Sequence, residues 1–111
     1  MLKSVEMYKS NLLHFLDDEG KIPEEMNREG REMACFHALV VDAATGMMPS
    51  KYTISRIRCF KKGCRGTVLV RLSDLKDEIE WLCPECRNEG RISHWQGTRW
   101  DNSKSGRSGN A

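Results

Sequence analysis

Four cysteines carry the clearest chemistry in the chain. They come as two close pairs, Cys59-Phe-Lys-Lys-Gly-Cys64 and Cys83-Pro-Glu-Cys86. Two such pairs, separated by a run of strand-forming residues, supply four thiolates to one tetrahedral metal ion, and thiolates in this pattern select zinc. Four protein ligands leave no position for water or substrate, so the expected Zn2+ is structural rather than catalytic. Gly63 and Gly66 give the first turn freedom to bend, and Pro84 stiffens the second. Backbone N–H groups in turns of this kind point at the sulfurs and hold their negative charge in place. Binding of such an ion contributes on the order of 10 kcal/mol to folding, more than a core this small nets without it.

The elements that must position these cysteines are strands. Residues 53–59, Thr-Ile-Ser-Arg-Ile-Arg-Cys, run into the first pair, and Thr67-Val-Leu-Val-Arg-Leu72 follows it, rich in β-branched and aliphatic residues. Ser73 to Asp77 turns the chain. Glu78-Ile-Glu-Trp-Leu-Cys83 alternates and places Ile79, Trp81 and Cys83 on one face, and Gly90 to Gln96 returns as a last strand. Upstream, Val5, Tyr8, Leu12, Phe15 and Leu16 recur at helical spacing and predict a first helix from about Ser4 to Leu16. Met33, Phe36, His37, Val40, Ala43 and Ala44 line a second, from about Asn27 to Thr45, with Asn27 as a good N-cap and Gly46 closing it. Residues Asn102 to Ala111 lack large apolar groups and are expected to be disordered.

A chain of 111 residues, 39% hydrophobic and 31% charged, is one domain or a small domain with an appendage. No apolar leader and no membrane-length apolar run is visible, so no membrane association is expected. With an odd number of cysteines, five, a closed disulfide framework is disfavoured, and a cytoplasmic location follows as the expectation. The net charge of +2 is unevenly spread: residues 1–50 hold five Lys/Arg against nine Asp/Glu, and residues 51–111 hold thirteen against seven. A zinc ion with four thiolates adds roughly −2, so part of the basic excess neutralises the site.

Lys51 to Gly66 contains Lys51, Arg56, Arg58, Lys61, Lys62 and Arg65 and no acid. Of these, Arg56, Arg58, Lys61, Lys62 and Arg65 are candidates for binding RNA or DNA, with Phe60, Trp95 and Trp100 near enough to stack on bases. The same run also reads as a solvated face that balances the zinc–thiolate charge. Trp81, in a strand beside a zinc ligand, belongs to the core, and Trp95 and Trp100 are expected to cover the helices. His37 reads as a core residue and His14 as a polar-face residue. His94 lies near the cysteines, but four of them already fill the shell. Cys35, in an apolar helix, is expected to be a buried small hydrophobe, and no spacing shows a base that would make it a nucleophile.

The cysteine segment resembles the zinc-ribbon domains of transcription factors and rubredoxin-like knuckles. It is similar, more closely, to a group of small bacterial proteins of uncharacterised function that share Glu78-Ile-Glu-Trp-Leu-Cys-Pro-Glu-Cys86 and then Gly90-Arg-Ile-Ser-His-Trp-Gln-Gly-Thr-Arg-Trp-Asp101. The likeness covers about the C-terminal half and implies zinc but no activity. One departure is Arg87, where such knuckles often carry glycine.

The expected architecture is therefore α+β: a helical region over residues 1–48, made of two helices, an antiparallel zinc ribbon of three or four strands over 51–101, and a tail over 102–111. The expected role is that of a non-catalytic zinc-binding protein, not an enzyme, working as an interaction or regulatory module. Its partner would be another protein or a second copy of the chain at the helical half, or, alternatively, nucleic acid at the basic ribbon face.

Overall fold

The computed structural model describes residues 7–103. In chain order it contains strand β1 (Met7–Asn11), a 3-10 turn (Leu12–Phe15), helix α1 (Arg28–Met47), and strands β2 (Thr53–Arg58), β3 (Thr67–Leu72), β4 (Ile79–Leu82) and β5 (Glu89–Ser93). All five strands form one sheet in the order β1-β5-β4-β3-β2. Strands β2 to β5 are an antiparallel meander, and β1 joins β5 in parallel, Met7 opposite Glu89 and Asn11 opposite Ser93.

This corrects the expected fold: one helix and a five-stranded mixed sheet stand in place of an N-terminal helical pair and a purely antiparallel ribbon. Ser4, Val5 and Glu6, the start of the predicted first helix, lie outside the described residues, and Met7 to Phe15 form β1 and the 3-10 turn. The physical reason is that apolar residues at i, i+4 and i+8 satisfy both periods. Tyr8 and Leu12 lie an even number of residues apart, so a strand also places them on one side. Tyr8 stacks against Trp81 at 6.0 Å, and Leu12 is fully buried. A helix of 13 residues is marginal alone, whereas as a strand the segment hydrogen-bonds the open edge of β5. Asn11 then ends the strand, its side-chain oxygen accepting from the Leu13 N–H at 2.9 Å.

Helix α1 matches its expectation more closely. Asn27 caps it, accepting from the Gly30 N–H at 2.7 Å. It runs through Gly46, however, and closes at Met48, which takes a left-handed φ of 49°. Phe36, Val40, Val41 and Ala44 are buried from this helix in one cluster with Val68, Val70 and Leu72 of β3 and Ile79 and Trp81 of β4, while His37 is buried against Phe15 and Phe36. Cys35 is exposed, so the expected buried hydrophobe is corrected too: its helical position is one step off the apolar stripe. The last described residues strap onto the far end of α1. Asn102 donates its N–H to Thr45 Oγ1 at 2.8 Å and its amide to Asp42 Oδ1 at 2.6 Å, and Thr45 Oγ1 donates to the Trp100 carbonyl at 3.2 Å. Of the segment expected as a tail, residues 104–111 lie outside the described residues.

Candidate metal centre

Both cysteine pairs sit at one end of the sheet, where paired strands hand the chain into tight turns. Cys59 follows β2 and Cys64 precedes β3, and the loop is closed by the Cys59 N–H donating to the Gly66 carbonyl at 2.9 Å. Cys83 follows β4 and Cys86 precedes β5, closed by the Cys83 N–H donating to the Asn88 carbonyl at 2.9 Å. Because β3 and β4 are neighbours, the register Leu69 opposite Leu82 carries the two turns face to face. Glycine is absent from position 87, yet Arg87 adopts the left-handed φ of 67° that a glycine there would take easily. The departure changes the residue and not the turn.

The four sulfurs all lie within 4.8 Å of one another. The two turns contribute crosswise: Cys59 Sγ is 3.8 Å from Cys86 Sγ, and Cys64 Sγ is 3.6 Å from Cys83 Sγ. A disulfide would need about 2.05 Å. A tetrahedral ion with metal–sulfur bonds of about 2.3 Å sets the sulfurs about 3.8 Å apart along each edge. The donor set therefore fits a metal in both spacing and chemistry: the four cysteines anticipated from the sequence come together, and among the described residues no histidine or carboxylate joins them.

Backbone amides aim at the sulfurs. The Lys61 N–H donates to Cys59 Sγ at 3.5 Å and the Gly66 N–H to Cys64 Sγ at 3.4 Å. Burial pushes the Cys59 thiol up to about 12 and raises that of Cys83, because an isolated thiolate has little to solvate it there. The Gly66 amide holds Cys64 below the usual thiol range. Without an ion the buried members of the cluster therefore keep their protons, and a metal must displace them on binding. Close approach of the turns depends on Gly66. A Cβ built there would stand 2.6 Å from Glu85 Cγ, 2.7 Å from Glu85 Cβ and 2.9 Å from Cys83 Sγ.

The other singled-out residues divide sharply. Arg56, Arg58, Lys61, Lys62 and Arg65 are all exposed. The aromatic partners proposed for them are not: Phe60 packs with Phe36, Tyr8 and Trp81 in one aromatic cluster, and Trp95 is buried at 3% exposure. Trp100 is half-buried against the core. Sequence reasoning missed Tyr52, which stands 36% exposed with the Arg71 guanidinium 5.2 Å above its ring. Its place before a strand of alternating exposure was the available signal. It also missed Glu80, buried on the sheet face away from α1, where Arg71 Nε meets it at 2.6 Å and Arg91 Nε at 3.5 Å. His37, as expected, is core: it stacks on Phe15 at 5.0 Å, neither ring nitrogen has a hydrogen-bond partner, and burial lowers its pKa to about 4. His94 is exposed and hydrogen-bonded to Ser93 Oγ at 3.0 Å.

Among the described residues, no helix is long and apolar enough to cross a membrane. No known family, curated protein or solved structure matches the chain.

Proposed function

We propose that the four cysteines hold one structural zinc ion and that the protein is a non-catalytic module of the zinc-ribbon kind, acting through contacts made by its surface. The observation that carries this reading is the sulfur spacing, 3.6 and 3.8 Å across the two turns, against about 3.8 Å for a tetrahedral four-sulfur site. Soft thiolates favour zinc over the hard divalent ions. Filled by four protein sulfurs, such an ion has no position left to activate water, so its work is to clamp the β2–β3 and β4–β5 turns together. That clamp secures the end of the sheet beneath α1.

A partner protein or second copy at the helical half would meet the outer side of α1, where Leu39 is 54% exposed. Val40 and its neighbours are already spent on the sheet. The test is elemental analysis of protein purified without added metal, followed by exposure to a strong chelator. One zinc per chain is expected, with loss of the near-ultraviolet signal of the tryptophans when it is removed. Metal-free protein that stays fully folded in chelator overturns the reading, and one iron per chain in place of zinc overturns the choice of ion.

A further inference from the structure

Among the described residues some basic side chains are partnered and others are not, Lys9, Lys51, Lys76 and Arg87 being among the unpartnered ones. Lys21 pairs with Glu19, Arg28 with Glu32, Arg71 with Glu80, and Arg91 with Glu78 and Glu80, while Arg31 donates to the Pro23 carbonyl. The side chains of Arg56, Arg58, Lys61, Lys62 and Arg65 enter no ion pair or hydrogen bond among the described residues, and all five are exposed. They are also consecutive in space: β2 is an edge strand, and it runs straight into the turn that bears Lys61, Lys62 and Arg65. A four-thiolate zinc ion carries roughly −2, which two of the five cations offset. The remaining excess lies along one edge with no acid between Lys51 and Gly66.

The shape of that edge narrows the partner. In β2 the register slips between Ile54 and Ile57, and the bulge puts Arg56 at a left-handed φ of 66°. Ser55 repairs it, donating its hydroxyl to the Val68 carbonyl at 2.7 Å and accepting from the Ile57 N–H at 3.1 Å. The bulge therefore adds a cation to the edge without unpairing the sheet. Beside the cations, on the face turned away from α1, stand Tyr52 and Ile54, the latter 68% exposed. A flat ring and an apolar side chain next to a line of unpaired cations suit a chain that alternates negative phosphates with planar bases. Helix α1 offers no basic face for a major groove, since Glu29, Glu32 and Asp42 are among its exposed residues.

Resting on the metal-clamped reading above, we propose that the β2 edge and the first cysteine turn form one track for single-stranded nucleic acid. Phosphates meet Arg56, Arg58, Lys61, Lys62 and Arg65, and a base packs on Tyr52 and Ile54. Stacking is thereby moved from Phe60, Trp95 and Trp100, which the core holds, to Tyr52.

The test uses full-length protein shown to hold one metal ion per chain, with fluorescein-labelled single-stranded oligo-U and oligo-dT read by anisotropy. Five phosphate contacts give a slope of about −3.5 in log K against log salt, so affinity should fall about 100-fold between about 50 and about 200 mM salt. Arg58→Ala with Lys62→Ala should make that slope shallower by about 1.4, whereas Arg28→Ala, on the helix, should leave it unchanged. Tyr52→Ala should weaken binding between about 5- and 150-fold at fixed salt, with Tyr52→Phe close to the parent. No binding at low salt by metal-loaded protein overturns the proposal while leaving the metal reading intact. Equal competition by poly-glutamate overturns it in favour of an acidic protein partner, and a salt slope insensitive to the paired substitution overturns the assigned track. Protein that holds no metal refutes the earlier reading instead.

Discussion

Gly66→Ala puts the geometry of the metal centre to a quantitative test. The new methyl carbon would stand 2.6 and 2.7 Å from Glu85 Cγ and Cβ and 2.9 Å from Cys83 Sγ. Carbon atoms rest about 3.5–4.0 Å apart, so each contact is short by roughly 1 Å. Glu85 is exposed and its outer carbons can swing, but its Cβ follows the backbone of the second turn. Cys83 is fully buried, and its sulfur is one of the four that cluster within 4.8 Å. Gly66 itself is tied through its carbonyl to the Cys59 N–H and through its own N–H to Cys64 Sγ. Relief therefore requires the two turns to separate, which carries sulfur spacings of 3.6 and 3.8 Å beyond what one ion can span. Overpacking of this kind costs about 1–3 kcal/mol. The alanine's smaller unfolded-state entropy returns about 0.4–1 kcal/mol. A net loss of about 1–2 kcal/mol is expected, which is about 5- to 30-fold weaker zinc binding. Competition against a chromophoric chelator reads the affinity, and cobalt substitution reads the tetrahedral geometry. Glu85→Gly in the same chain removes the two contacts to Glu85 and should recover part of the loss. Unchanged affinity together with an unchanged cobalt spectrum in the single variant would refute the idea that Gly66 sets how closely the turns meet.

Two further expectations concern the core. Gly90 lets the Trp81 indole lie flat on β5, and a Cβ there would fall 2.6 Å from Trp81 Cε2 and Nε1. Trp81 is fully buried among Tyr8, Phe36 and Phe60 and has nowhere to move, so Gly90→Ala should destabilise by about 2 kcal/mol. A circular-dichroism melt should show this as a fall of roughly 10 °C, and a melting point at or above that of the parent would refute the packing argument. His37, buried and neutral, has its pKa lowered from 6.5 to about 4 by loss of hydration. The unfolded chain thus takes up the proton first as pH falls. The stability from the neutral ring is complete above pH 6.5 and declines towards about pH 4, with about 2 kcal/mol lost by about pH 5. Denaturant titrations of metal-loaded His37→Phe and parent proteins across that range should diverge by this amount, and parallel curves would contradict the assignment.

Local patterns were legible wherever one physical cause acted alone. Thr67 to Leu72 could only be a strand, since β-branched and aliphatic residues alternate there with no helical stripe. Asn27 capped the helix as its chemistry directs, and the apolar stripe from Phe36 to Ala44 faced the core because a 3.6-residue period leaves no other face. Where two readings shared one pattern, the sequence was silent. Tyr8 and Leu12 fit a helix and a strand equally well, and the choice fell to the unpaired edge of β5, formed more than seventy residues later.

By itself the sequence singled out the four cysteines that the fold brings together, because paired cysteines at tight-turn spacing have one common use and their chemistry is local. It also determined that a basic run enters the first turn. Only the tertiary structure decided that this run lies along a sheet edge with its cations unpaired, that Trp95 is buried and Phe60 half-buried against the core, and that Tyr52 is exposed. Those outcomes depend on which strands pair and on which side α1 packs, and both are set by contacts between residues distant in the chain.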